Sequence, residues 1–383
     1  MNRFLSPFRK IFSSHQPIPA GMYHYQAPPD DPRNYRLHLR LEPDGSGILI
    51  VNASTILHLN QTAAEYAYHL VHNRAADEVG HRITARYQVS AEQAMNDYRD
   101  LADRIQTLIN TPDLDPVTFL DFDRQPPNSG HITAPYRLDC AITYRLHPQA
   151  QPDAAPTERV KVELSTVDWK KALDRAVQAG IPHIVFTGGE PTLREDLPEL
   201  IAHAEANNQV SGLLTDGLRL VDKDYLDILL KTGLDHLMII LQEENQASWD
   251  AVQNCMVEDL FVAVHVTLTP ENISQIPGIL ERLAQMGVPA ISLSATDLSL
   301  QESLQAARNK AATLGLELVW NLPVPYSALH PVALETSAAA QAEGAGRAWM
   351  YVEPDGDVLP SQEINRVLGN ILNDPWEKIW KRN

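Results

Sequence analysis

Between Tyr136 and about residue 320 the chain switches six times between a short apolar run and a segment of helical period, and this alternation constrains its fold more than any other feature. Strands are predicted near 136–143, 183–187, 210–215, 235–241, 261–267 and 290–294. Helices are predicted near 166–179, 194–207, 223–232, 246–254, 273–286 and 299–314. Strands joined by helices lie parallel, because each crossover returns the chain to the same end of the sheet. Six units are too few for a closed eight-unit barrel. An α/β fold built on an open, partial (β/α)6 barrel is therefore expected, with ligands at the carboxyl ends of its strands. Ser165 and Asp168 form a capping-box-like pair at the first of these helices, which stops at Gly180; the third stops at Gly233.

The flanks have a different texture. Residues 1–34 read as leader and linker, rich in Pro and polar residues from 13 onward. The start, "MNRFLSPFRKIF", combines Arg3, Arg9 and Lys10 with five apolar side chains. Pro7 interrupts it and no signal-peptide apolar region follows, so it reads as a tail, with weak interfacial or partner docking as the alternative. Residues 35–110 form a small α+β unit. "YRLHLRL", "ILIVN" and "TILHL" are strands, with "EPDGSG" as turn chemistry and Ala53-Ser54 as a tight link. Three helices follow, the first capped by Asn60, the third opening on Ser90 with Gln93 completing a capping box. Segment 111–135 is a linker, and 136–320 is the alternating core. Residues 321–383 are a small extension with a hairpin turning at Asp355-Gly356 and a short closing helix, "DPWEKIW".

Composition excludes several classes of function. The 383 residues carry a formal net charge of −18, which opposes general nucleic-acid binding. No apolar run reaches the roughly 18 residues needed to span a membrane. Cys140 and Cys255 are the only cysteines and lie far apart, which fits a reducing, cytoplasmic compartment better than a disulfide.

One loop carries a chemical signal. "PHIVFTGGEPTLREDL", 182–197, runs a buried strand into Gly188-Gly189-Glu190-Pro191 and then into a helix. Glycines there let backbone approach a ligand closely, Glu190 can accept from an ammonium group, and Pro191 fixes the turn. An ordinary βα loop is the bland reading, weakened by the position after the second strand of the series. Residues 136–320 resemble the core of the radical S-adenosylmethionine (SAM) superfamily through "TYR" at 143–145, "TGGEPTLRED" at 187–196, "LLTDG" at 213–217 and "TGLDHLMIIL" at 232–241. The resemblance implies SAM as cofactor, its methionine amino group at Gly188, Gly189, Glu190 and Pro191. Thr215, with Asp216, would face a ribose. Residues 35–110 resemble the PqqD-like, winged-helix-like peptide-recognition fold. The stretch "YVEPDGDVLPSQEINRVLGNILNDPWEKIW" resembles SPASM or twitch extensions, which carry auxiliary iron–sulfur clusters.

The pattern breaks at the cluster. The family ligates it through Cys-x3-Cys-x2-Cys directly after the first strand, since soft thiolates hold iron. Aligned on Thr143-Tyr144-Arg145, those positions fall on Leu146, Ala150 and Asp153, and the extension has Ser361 where Pro-Cys is usual. A rival register uses Cys140, Tyr144 and His147, a poor ligand set that discards the "TYR" anchor. In the preferred register Cys140 shares a strand face with Leu138 and Ile142, as a small buried thiol. The loss of both cysteine sets implies no iron–sulfur cluster.

The remaining candidates are weaker. His147, His183, His236 and His265 read as structural histidines, although metal binding by His147 with a distant partner stays open. Glu243 and Glu244 read as helix-start acids. Thr55, Ile56, Leu57 and His58 form the candidate edge for an added peptide strand. The expectation is a cluster-less, peptide-binding and SAM-binding accessory or scaffold, whose partner is a precursor or leader peptide or a maturation enzyme. The alternatives are an active radical SAM peptide-modifying enzyme with atypical cluster ligation, or a non-radical SAM-dependent enzyme.

Overall fold

The computed structural model describes residues 18–28, 30–52, 55–111, 132–147, 154–319, 322–327, 329–330 and 344–383. The basic, apolar start of the chain and the candidate positions Ala150 and Asp153 lie outside them. The described chain divides into two units, Met1–Ile132 and Thr133–Asn383.

The first unit is an antiparallel sheet of four strands, β1 (Gly21–Gln26), β2 (Arg36–Leu41), β3 (Gly47–Val51) and β4 (Thr55–Leu59), in that spatial order. Three helices follow, α1 (Gln61–Val71), α2 (Ala76–Thr84) and α3 (Ala91–Asn110). Leu37, Leu39 and Leu41 alternate with Leu49, Val51, Leu57 and Leu59 to line one sheet face, which packs on Ala64, Ala67, Val79, Ile83, Leu101 and Ile105 of the helices. Asn60 caps α1 by accepting from the Ala63 amide at 3.0 Å.

Two expectations need correction here. The stretch read as leader supplies β1, which pairs with β2 from Gly21 opposite Leu41 to Gln26 opposite Arg36. The prolines around "MYHYQ" mask a strand whose Tyr23 packs edge-on to Tyr68 at 4.9 Å. The capping box at α3 is only half formed. The Ser90 hydroxyl accepts from the Gln93 amide at 3.1 Å, but the Gln93 side chain turns to Asp97 at 2.5 Å. An exposed partner one helical turn on outcompetes the backward reach.

The second unit holds one ten-stranded sheet. Its strands are β5 (Arg137–Thr143), β6 (His183–Gly188), β7 (Val210–Thr215), β8 (His236–Ile240), β9 (Phe261–Leu268), β10 (Ala290–Ala295) and β11 (Glu317–Leu318). They lie parallel and in chain order. The crossovers are α4 (Thr166–Gln178), α5 (Leu197–Ala206), α6 (Lys223–Lys231), α7 (Gln246–Cys255), α8 (Ile276–Gln285) and α9 (Gln301–Thr313). All six expected β/α units are thus present in the expected order.

Strand alternation splits the sheet into two faces. Leu138, Cys140, Ile142, Ile184, Phe186, Leu213, Ile239, Val264 and Val266 pack against Trp169, Leu173, Leu200, Leu229 and Leu280 of the helices. Val185, Leu214, Met238, Ile240, Ala263 and Ala290 form a separate cluster on the inner face, covered by Val319, Leu322 and Val324. Cys140 is therefore a buried thiol beside Leu138 and Ile142, as expected, and it packs on the helix side of the sheet.

The extension is part of this sheet rather than an appendage. Its strand β12 (Trp349–Val352) runs parallel to β5, with Trp349 opposite Arg137. β13 (Asp357–Leu359) returns antiparallel through the Asp355-Gly356 turn, β14 (Gly369–Asn370) follows, and α10 (Trp376–Lys381) closes the chain. Without β12 the first core strand would expose an unpaired edge.

Candidate functional site

The carboxyl ends of β5, β6 and β7 meet around Glu190. β6 runs into Gly188 and Gly189, and a short 3-10 turn, Pro191–Leu193, follows Glu190. Gly188 has φ of +131°, and a Cβ there would run into the Thr143 carbonyl oxygen. A Cβ on Gly189 would meet the Arg145 carbonyl oxygen and lie 3.1 Å from Leu146 Cδ2. Both positions are thus glycine because the chain leaving β5 crosses directly over them. The Gly189 amide donates to Thr143 O at 2.9 Å and the Glu190 amide to Arg145 O at 2.8 Å.

Glu190 is 2% exposed and binds inward. Its Oε1 accepts from the Thr192 amide (2.9 Å), the Thr192 hydroxyl (2.5 Å) and the Thr215 hydroxyl (2.7 Å). Its Oε2 accepts from the Asp216 amide at 2.8 Å. Burial, and then the neighbouring Asp216 carboxylate, push its carboxyl up to about 7 against the pull of these donors. Burial likewise raises Asp216, whose Oδ2 lies 3.0 Å from His147 Nε2. Two carboxyl groups and an imidazole therefore lie close together at the strand ends.

The loop is also tied from outside. The buried Arg194 donates to the carbonyls of Ile142 (2.9 Å) and Leu164 (3.1 Å) and grips Asp196 with its other two nitrogens. Glu163 Oε1 accepts from the Thr143 hydroxyl at 2.7 Å and the Tyr144 amide at 2.9 Å. The Arg219 guanidinium reaches the Thr192 carbonyl and stacks 4.1 Å from the Tyr225 ring centre.

The structure thus brings Gly188, Gly189, Glu190, Pro191 and Thr215 together, with Leu146 beside Gly189. Ser361 follows β13, is 8% exposed, and accepts at its carbonyl from the Ile364 amide. Thr55, Ile56, Leu57 and His58 lie in the other unit, on β4, which is an edge of its sheet; β1 is the second edge. His265 is held by Ser292 (3.0 Å) and Ser294 (2.9 Å), and burial pushes it down to about 3, so it is a neutral structural group. His183 and His236 meet each other at 2.7 Å. Glu243 accepts from Asn272 at 2.5 Å.

Sequence reasoning missed Glu163, Thr192, Arg194 and Tyr326. The Glu-Pro-Thr spacing signals the Thr192 contact, in which the Glu190 side chain reaches the amide two residues on. Nothing local signals Tyr326, whose amide donates to the Gly188 carbonyl at 3.0 Å from more than a hundred residues away.

The cluster that the resemblance implies needs thiolate ligands. Leu146 packs with Ala141, Tyr144, Tyr326 and Tyr351 in an apolar cluster. Both cysteines are buried. No group of three or more His, Cys, Asp or Glu side chains suited to a metal ion occurs among the described residues. These side chains do not fit an iron–sulfur cluster.

Residues 140–261 match the sequence profile of the Radical SAM superfamily. The chain is 25% identical over 285 residues to the PqqA peptide cyclase of Xanthomonas oryzae pv. oryzae (strain MAFF 311018), covering 67% of this chain and 74% of that one. It is 31% identical over 209 residues to the Fe-coproporphyrin III synthase of Methanosarcina barkeri, covering 48% of this chain and 50% of that one. Its fold is similar to that of Streptococcus suis SuiB bound to precursor peptide SuiA, with TM-score 0.59, 14% identity, and coverage of 93% of this chain and 88% of that chain. SuiB bound to S-adenosylmethionine gives TM-score 0.56 at 14% identity, covering 90% and 86%. Residues 140–261 are thus similar to the Radical SAM superfamily, the chain is similar in sequence to PqqA peptide cyclase, and its fold is similar to that of SuiB. No helix among the described residues is long and apolar enough to cross a membrane.

Proposed function

We propose that this protein is a cluster-less relative of the radical SAM peptide-modifying enzymes, acting as a peptide-binding accessory or scaffold in peptide or cofactor maturation. The carrying observation is Leu146. The position that the resemblance assigns to the first cluster cysteine holds an apolar side chain against Gly189, within an apolar cluster. Radical chemistry of this kind belongs to the cluster and its cofactor, and the protein only positions them. Relatives named for peptide cyclisation support the peptide part of the reading. The edge strand β4, which carries Thr55 to His58, supports strand addition as the binding mode, in a PqqD-like unit. A SPASM-like ancestry accounts for the extension with Ser361 in place of cysteine.

Anaerobic reconstitution with iron and sulfide, followed by metal analysis, tests the reading. The expected result is iron well below one atom per chain, and a stoichiometric four-iron signal with cluster absorbance overturns it. Titration of labelled peptides translated from short reading frames beside the gene tests the partner class. Saturable binding that Ile56→Asp weakens at least tenfold is expected. The retained Gly-Gly-Glu-Pro loop favours a second reading, a SAM-dependent enzyme without radical chemistry, for which wild-type chain must bind SAM and Glu190→Ala must lose it.

A further inference from the structure

The amino-terminal ends of the second unit's strands carry a contact that the function above does not use. His183 of β6 and His236 of β8 meet through their Nε2 atoms at 2.7 Å, with the rings 4.9 Å apart and inclined at 74°. These residues are not on neighbouring strands. β7 runs between them, and its Gly212 lies opposite His236. A Cβ on Gly212 would run into the His236 ring. The glycine therefore leaves the space in which one imidazole lies on the backbone of β7 and reaches the other.

A neutral imidazole nitrogen either carries a proton and donates, or lacks one and accepts. Two Nε2 atoms at 2.7 Å therefore hold one proton between them. One ring donates, and the other is neutral with its own proton at Nδ1. A proton added to the accepting nitrogen removes the bond and sets two cations face to face. Among the described residues, Arg137 of β5 lies opposite His183 and adds a third positive charge. Asp139 is already bound to that guanidinium at 2.7 and 3.0 Å, and Asp235, beside His236, accepts from the Ser211 amide at 2.8 Å. Val210 of β7, opposite His183, and Phe261 of β9, opposite His236, bring no charge. Burial, and then Arg137, push His236 down to about 4.

We propose that the His183–His236 pair is an acid-released clasp: it fastens β6 to β8 across β7 while a single proton lies between the rings, and lets go when a second proton arrives. The pair lies at the opposite strand ends from the Gly-Gly-Glu-Pro loop, so the proposal rests on neither reading of that loop. His236 takes up a proton less readily in the folded chain than in the unfolded one. The contribution of the clasp is then present above the ordinary histidine value and is lost as pH falls toward about 4.

Urea unfolding of the full chain at pH 7 and pH 5 tests this, with wild type beside His236→Gln, whose side chain can bond His183 and does not titrate. Other titrating groups act on both proteins alike. The folded-to-unfolded ratio of the second unit is expected to fall on the order of twentyfold further in wild type than in the variant. Profiles that stay parallel within twofold overturn the proposal. In native wild type, the amides of Ser211, Gly212 and Leu213 are expected to exchange at least tenfold faster at pH 5 than at pH 7 after correction for the intrinsic rate. Unchanged protection overturns the release. Should His236→Gln not fold, side-chain nitrogen NMR of wild type at pH 7 replaces it. One protonated Nε2 coupled across the hydrogen bond to the other is expected, and protons on both Nε2 atoms, or no coupling between the rings, overturn the clasp.

Discussion

Glu190 shows how one side chain can serve as structure in a position associated with ligand binding. Its carboxylate satisfies four donors from two segments, and truncation would leave them buried and unpaired. The same burial gives it a pH signature. A carboxyl whose folded value is raised keeps its proton longer in the folded state than in the unfolded one. Its contribution is then fully present below the ordinary carboxylate value and is lost as pH rises toward about 7. Urea unfolding at pH 5 and pH 7.5 should show wild type losing on the order of 2–3 kcal/mol across that window through this group. Glu190→Gln should flatten that difference, and an equal slope in the variant would show that Glu190 does not titrate there. Arg194 works similarly at a crossing of backbones. Arg194→Ala should cost about 2–4 kcal/mol, toward the low end for a broken buried pair because Asp196 stays partly wet. Denaturant midpoints check it.

At the scale of elements, the local rules held where a strand or helix could satisfy itself. Asn60, Ser90 and Ser165 cap their helices as their residue types predict. Asn60→Ala should destabilise the first unit by about 1 kcal/mol, visible as faster amide exchange in Gln61–Val71 with little change in the second unit. Elements that need a partner from elsewhere were harder to read. β1 sits among prolines, and its six residues become a strand because β2 offers an open edge. β12 looked like one arm of a terminal hairpin, yet it also pairs with β5 and completes the large sheet. Loop 144–147 was read for cluster ligands, whereas its carbonyls and Leu146 pack down on the glycine pair.

For the whole molecule, the largest hydrophobic cluster of the second unit is distinct from that of the first, and both cysteines belong to it. Cys255 is pushed up to about 12 by burial, and Cys140 is raised further still. A thiol reagent should therefore find no reactive cysteine in the native protein and two per chain in denaturant, appearing together as the second unit unfolds. Fast labelling of either thiol under native conditions would contradict the burial described here.

The sequence by itself determined the six β/α units, the burial of Cys140 on a strand face with Leu138 and Ile142, and the position of the glycine loop at a strand end. Period, caps and glycines are local properties, written in neighbouring residues. It also determined the absence of thiolates at Leu146 and Ser361, since composition needs no folding to be read. Only the tertiary structure decided what the loop is bonded to. The inward turn of Glu190, the Asp216–His147 contact and the reach of Tyr326 to Gly188 join residues from separate strand ends and a distant segment. Such contacts follow from packing geometry, which brings together groups that no spacing along the chain relates.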